Sequence, residues 1–179
     1  MRAILFLLLF LALAGCAGSG APDGPPRTAG AVDLQRYQGT WYELARLPMF
    51  FQRACVASEA HYRLREDGAV AVTNRCRTAE GTWKEARGEA TLQRSERTDK
   101  LWVRFNNWFS NLFPTLARGD YWVLYLDADY SVALVGHPDR DYLWLLSRTP
   151  QVSSETRERL LAEARARGYD TSELIWRAD

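Results

Sequence analysis

Along most of this 179-residue chain, large apolar side chains alternate with polar ones over short runs. That period of two is the mark of half-buried β-strands. Eight such runs are read, at 40–47, 56–65, 69–76, 83–92, 101–105, 121–126, 131–136 and 142–147. Turn chemistry separates them, most clearly at Glu66-Asp67-Gly68 and Asp127-Ala128-Asp129-Tyr130. A polar run at 93–100 joins the fourth to the fifth. Short, evenly spaced strands predict an all-β fold, an eight-stranded antiparallel up-and-down barrel. After Pro150 the apolar period changes to that of a helix. Ser153 or Ser154 is placed to cap it, with Glu155 and Glu158 in the first turn. Leu160, Leu161 and Ala164 form the buried stripe, Arg165 and Arg167 end the helix, and Gly168 is the expected C′ residue. This helix is expected outside the barrel, while Asp33 caps a short turn through Leu34 and Tyr37 that plugs one end.

The first strand carries Gly39, where a side chain would obstruct the close approach of another backbone, and Trp41, the first large group it can bury. The last strand ends in Arg148. A guanidinium flat on an indole contributes roughly 0.5–2 kcal/mol, so a Trp41–Arg148 contact is the expected closure between first and last strands.

The N-terminus reads as a secretion signal at 1–15. Arg2 precedes an apolar run, residues 3–14, too short for the roughly 20 residues that span a bilayer. Leu13-Ala14-Gly15-Cys16 resembles a bacterial lipobox, which implies lipidation of Cys16 and its exposure as the new N-terminus. Ala17 in the next position implies delivery to the outer membrane. Residues 16–30, rich in Gly and Pro, read as a lipidated flexible tether, and 31–179 as one folded domain. Removing 1–15 takes away Arg2 and no acid, leaving 22 basic against 22 acidic residues. No basic field remains to hold nucleic acid. Cys55 and Cys76 then form an even pair in an oxidising compartment, where a disulfide is expected. Strict alternation sets them on opposite faces, so the bridge needs a bulge or Cys55 in the loop.

Gly39-x-Trp41, Gly119-Asp120-Tyr121 and Arg148, in that order, resemble the three signatures of the lipocalins. Gly39-Thr40-Trp41-Tyr42-Glu43, Ala133-Leu134-Val135-Gly136 and Leu143-Trp144-Leu145-Leu146-Ser147-Arg148-Thr149-Pro150 are similar to the bacterial outer-membrane lipocalins and their plant and animal relatives. The likeness runs from about residue 33 to 176; Gly119 departs from the Thr of many members. It implies an eight-stranded barrel that holds one small apolar ligand. An eight-stranded barrel can also be filled by its own side chains, and composition alone does not choose between the two.

Alternation gives the lining. Tyr142, Trp144 and Leu146 face inward on the last strand, Ala60, Tyr62 and Leu64 on the second, and Val70, Val72 and Asn74 on the third. Val103 and Phe105 follow on the fifth, and Tyr121, Val123 and Tyr125 on the sixth. Tyr62, Asn74, Phe105, Tyr121 and Trp144 are the expected ligand contacts. A mostly apolar and aromatic wall with few polar heads suits a fatty acid or lysophospholipid. Loops at the open mouth carry apolar clusters at 48–51 and 108–114, which would touch the membrane, close as a lid, or pair two copies as a homodimer. Arg53 and Arg118 flank them.

Enzyme readings find little support. His61 and His137 are the two histidines, without metal-ligand spacing, and no nucleophile motif is present. Glu43 would point inward beside Trp41, and its expected partner is an Arg or Tyr near the barrel floor. The reading is therefore a lipid-anchored, non-enzymatic carrier on the periplasmic face of the outer membrane, with no cofactor or metal. Carriage of a haem-like or isoprenoid ligand, an enzyme using Glu43 or an interior Tyr, and a filled structural barrel are the alternatives.

Overall fold

The structure, a computed structural model, describes residues 24–106 and 118–178. In chain order it runs α1 (Leu34–Tyr37), β1 (Gly39–Arg46), a 3-10 turn (Phe50–Gln52), β2 (Cys55–Leu64) and β3 (Val70–Thr78). It continues through β4 (Trp83–Leu92), β5 (Lys100–Phe105), β6 (Arg118–Leu126), β7 (Val132–Gly136) and β8 (Leu143–Ser147). α2 (Ser154–Arg165) and β9 (Ile175–Trp176) complete it. Cys16, the tether as far as Asp23, and the mouth loop 108–114 lie outside the described residues.

Each of β1 to β7 pairs antiparallel with the next, and β8 pairs with β1, so the eight strands close into the expected barrel. The ninth strand has no counterpart in the sequence reading. Ile175 and Trp176 pair with Arg46 and Ala45, where β1 has parted from β2. Two residues are too few to show a period, so only the docked chain reveals this strand.

Three bulges decide which side chains face in, because one extra residue shifts the alternation by a face. The bulge in β1 lies between Glu43 and Ala45 and turns both Glu43 and Arg46 inward. The one in β2, between Cys55 and Ala57, brings Cys55 onto the side of Cys76, and the two are joined in a disulfide with Cα atoms 5.4 Å apart. The third, in β6 between Val123 and Tyr125, corrects the sequence reading. Tyr125 faces outward against the helix-covered layer, and Leu126 takes the inner side instead.

Two apolar layers result. The outer one buries Leu160, Leu161 and Ala164 of α2 against Leu124, Leu134, Leu143 and Leu145 of the barrel wall. Ser153 caps α2 by accepting from the Thr156 N–H, and Gly168 takes a left-handed φ of 81° just past the helix. The inner layer gathers Tyr37, Trp41, Tyr62, Val72, Val123 and Leu146. Residues 26–30 already lie along the barrel: Pro26 is buried, and the Ala29 N–H donates to the Val123 carbonyl at 2.9 Å. Among the described residues no helix is long and apolar enough to cross a membrane.

Candidate functional site: the barrel interior

The interior is built in tiers, from a sealed base to an aromatic rim. At the base, Asp33 caps α1 by accepting from the Gln35 and Arg36 N–H groups, which carries Tyr37 up into the barrel. Arg148 stacks on Trp41 at 3.9 Å, the contact expected from the sequence. Its three nitrogens donate to the carbonyls of Tyr130, Thr40 and Arg36, so one side chain ties β1, α1 and the β6–β7 turn together. Gly39 is required for a reason other than the one read from sequence. Its φ is +93°, and a Cβ there would meet the Arg148 guanidinium at 3.4 Å rather than a neighbouring backbone.

Beside this base lie three phenols in a row. The hydroxyls of Tyr37 and Tyr121 are 3.0 Å apart, and Tyr121 donates to Tyr62 at 3.0 Å. Tyr37 also stacks on Trp41 and on Tyr62, at centroid separations of 4.8 and 5.7 Å. Burial pushes the Tyr62 phenol up to about 12 and raises those of Tyr37 and Tyr121 as well, so all three are neutral at physiological pH. Tyr37, read as part of a plug, is thus a member of the interior; nothing in a four-residue turn marks a side chain that reaches into a barrel.

The middle tier is Ala60 on β2 beside Asn74 on β3. Asn74 stands on the same face as buried Val72, and its Oδ1 is buried with no hydrogen-bond partner among the described residues. Val103, Phe105 and Trp144 continue the wall, half-buried, each packed against the inner cluster.

Toward the mouth the wall turns polar. Glu43 and Arg46 form a buried ion pair at 2.8 Å. This corrects the expected site of Glu43's partner: it stands above Trp41 on the mouth side, not on the floor, because the β1 bulge swings Arg46 inward. Arg46 also donates to the carbonyls of Gln52 and Cys55, at 3.0 and 2.9 Å. Gln52 donates to Glu43 and Ser58 and accepts from the Trp144 indole at 2.9 Å. These bonds pin the loop that carries Phe50 and Phe51, which are 69% and 52% exposed at the rim. Arg53 and Arg118 are exposed, Arg118 lying over the Trp102 ring at 4.2 Å.

The five expected contact residues therefore share one interior. Tyr62, Phe105, Tyr121 and Trp144 belong to or pack against one cluster, and Asn74 lies on its wall. Tyr62 and Tyr121 are spent in part on each other, and Trp144 on Gln52. The network of Glu43, Arg46, Gln52 and Ser58 was not read from sequence beyond Glu43 itself. His61 points outward, as alternation requires, and meets Thr40 at 3.2 Å. The β7–β8 loop brings ligand atoms of His137, Asp139 and Asp141 within 4.8 Å of one another, but Asp139 and Asp141 are exposed.

Comparison with known proteins agrees with this architecture. A family model describing a lipocalin-like domain matches residues 32–179. The outer membrane lipoprotein Blc of Escherichia coli K12 is 40% identical over 156 residues, covering 85% of this chain and 84% of that protein. The protein of the same name in Vibrio cholerae is 38% identical over 178 residues, 98% of each. Temperature-induced lipocalin-1 of Arabidopsis thaliana is 38% identical over 149 residues, covering 80% of this chain and 77% of its own. Among solved structures, insecticyanin of the tobacco hornworm Manduca sexta superposes with a TM-score of 0.66 at 19% identity, over 89% of this chain and 86% of that one. This chain belongs to the lipocalin family.

Proposed function

We propose that this lipocalin binds fatty acids or lysophospholipids and carries them at the outer membrane, anchored on its periplasmic face through lipidated Cys16. The observation that carries the reading is the gradient inside the barrel. Trp41 is fully buried, while Ala60, Val103, Phe105 and Trp144 on the same inner wall remain half-buried. Apolar walls above a sealed floor suit an alkyl chain, at about 0.8 kcal/mol for each methylene removed from water. The outer-membrane lipoproteins among the relatives, together with the lipobox at Cys16, support the address. Tyr62, Asn74, Phe105, Tyr121 and Trp144 are proposed to touch the ligand. Nothing in this arrangement supplies a nucleophile with a base, and Glu43 is committed to Arg46 and Gln52.

The exposed pair Phe50 and Phe51 is proposed to meet the lipid surface during loading. Native mass spectrometry of protein taken from its own membrane should show an adduct of single-chain lipid mass; a bare protein would overturn the assignment. Replacing Phe50 and Phe51 with Ser should slow uptake of a fluorescent fatty acid from vesicles severalfold and leave affinity in solution unchanged. An unchanged transfer rate would remove the membrane contact from the proposal.

A further inference from the structure

The outer barrel wall away from α2 carries a cleft of about 290 Å³. That is close to the lower end of the roughly 300–1,000 Å³ usual for small-molecule pockets. It lies over β3, whose outward side chains here are the small Ala71 and Thr73. Longer side chains on the flanking strands form its sides. Thr73 pairs with His61 of β2 and with Arg87 of β4, and Ala71 pairs with Arg63 of β2. The Asn106 N–H donates to the Arg87 carbonyl at 2.8 Å, which sets Asn106 at the far edge. Neighbouring strands lie about 4.8 Å apart, so β2 and β4 stand roughly 9.5 Å from each other across this floor. The open volume lies between Arg63 on one side and Arg87 on the other, and no carboxylate among the described residues lines it.

Charge on this wall does not cancel. The acids carried by β2, β3 and β4 are Glu59, Glu85 and Glu89, and each is already bonded to arginine. Glu59 meets Arg75 at 2.7 Å, and Glu89 is shared by Arg65 and Arg104 at 3.3 and 3.1 Å. Glu85 holds Arg87 at 2.6 Å through Nε, which leaves the two terminal nitrogens of that guanidinium without a partner among the described residues. Arg63 is left over, with no partner among the described residues. We infer that the cleft binds a dianionic phosphoryl group, as free phosphate or as a monoester, between Arg63 and Arg87. His61, Thr73 and Asn106 supply further donors around it; His61 meets Thr40 through Nδ1, so its Nε2 remains for the ligand. A phosphate monoester carries about −1.5 to −2 charge near pH 7, which two guanidiniums balance. Its tetrahedral oxygens face both sides of the cleft at once, whereas the two oxygens of a carboxylate are satisfied by a single guanidinium fork. A phosphodiester has a single negative charge and two of its oxygens blocked.

The cleft is separate from the barrel interior and does not depend on the carrier reading. Isothermal titration of the full chain, held in phosphatidylcholine vesicles near neutral pH, compares methyl phosphate with dimethyl phosphate. The monoester should bind about tenfold more tightly, and Arg63→Gln or Arg87→Gln should each remove about that factor, the loss of one charge-assisted contact. Arg118→Gln, an equal loss of charge elsewhere on the surface, should change nothing. Uptake of cis-parinaric acid, which reads the interior, should stay the same in all three variants and so show that they fold. The source of the phosphate is read by adding phosphatidic acid to the vesicles. A fall in apparent affinity for methyl phosphate, larger than the same charge of phosphatidylglycerol produces, assigns the cleft to a lipid head. No such fall, with inorganic phosphate competing, assigns it to soluble phosphates; both results sustain the site. Absent binding of methyl phosphate, equal affinity for the diester, or equal losses in Arg63→Gln and Arg118→Gln would overturn it. A wild-type protein that takes up no cis-parinaric acid strikes the carrier reading instead and leaves the cleft standing.

Discussion

The two faces of one barrel wall are built on different terms. Outside, under α2, aliphatic side chains meet aliphatic side chains, and Leu124, Leu134, Leu143, Leu145, Leu160 and Ala164 are wholly buried. At that layer's edge Arg167 donates to the carbonyls of Leu124 and Glu163 and Tyr169 exchanges hydrogen bonds with the backbone of His137, while the buried Trp122 Nε1 has no hydrogen-bond partner among the described residues. Inside, aromatic residues join the aliphatic ones, several lining residues stay half-buried, and Asn74 Oδ1 and Arg46 Nε lack partners among the described residues. The layer whose aliphatic side chains are wholly buried holds the fold, whereas the layer whose wall is partly half-buried is the one proposed to hold a ligand.

The largest expected effect falls where the inner layer behaves as structure. Arg46→Met strips Glu43 of its ion partner in a buried setting and should cost about 3–5 kcal/mol in denaturant unfolding. It also frees the loop at Phe50–Gln52, so the rim should become more sensitive to protease; equal stability and equal cleavage would show that the ion pair does not latch the mouth. Next is the contrast itself. Leu160→Ala should lose about 2–5 kcal/mol, because a filled layer collapses poorly around a void. It should leave lipid affinity unchanged, while Phe105→Ala should cost less stability and more affinity. Equal patterns in urea midpoints and in binding would erase the distinction between the layers.

The smallest effect is in alkaline solution. Burial raises the Tyr62 phenol on the inner side and the Tyr169 phenol on the outer side from 10.0 to about 12 each. A raised folded-state value means that the folded protein holds those protons more tightly than the unfolded chain. Their stabilisation is complete below pH 10 and is lost as pH rises from about 10 to about 12. Tyr169→Phe should flatten part of that decline in a pH series of unfolding midpoints. Tyr62→Phe should flatten it too, and less so with ligand bound, if the inner layer is the one that a ligand completes.

Much of this was legible in the alternation of residues. The eight strands, the cap of α2, the outward turn of His61 and the Trp41–Arg148 closure follow from spacing and residue type. What misled was local: alternation is a counting argument, and each bulge adds one to the count without marking the residue it adds. Tyr125 was read inward for that reason, the face of Cys55 looked wrong for a bridge to Cys76, and Arg46 was not seen facing Glu43. The 3-10 turn that delivers Gln52, the two-residue β9 and the inward reach of Tyr37 are equally silent, being too short to carry a period.

By itself, then, the sequence determined the barrel and its closure, because strand periodicity, turn chemistry and an indole under a guanidinium are all local or pairwise properties. Only the tertiary structure decided which polar atoms meet inside it and which are left over. Hydrogen-bond partners sit on strands far apart in the chain, and their facing depends on bulges whose effect appears only when strands are paired.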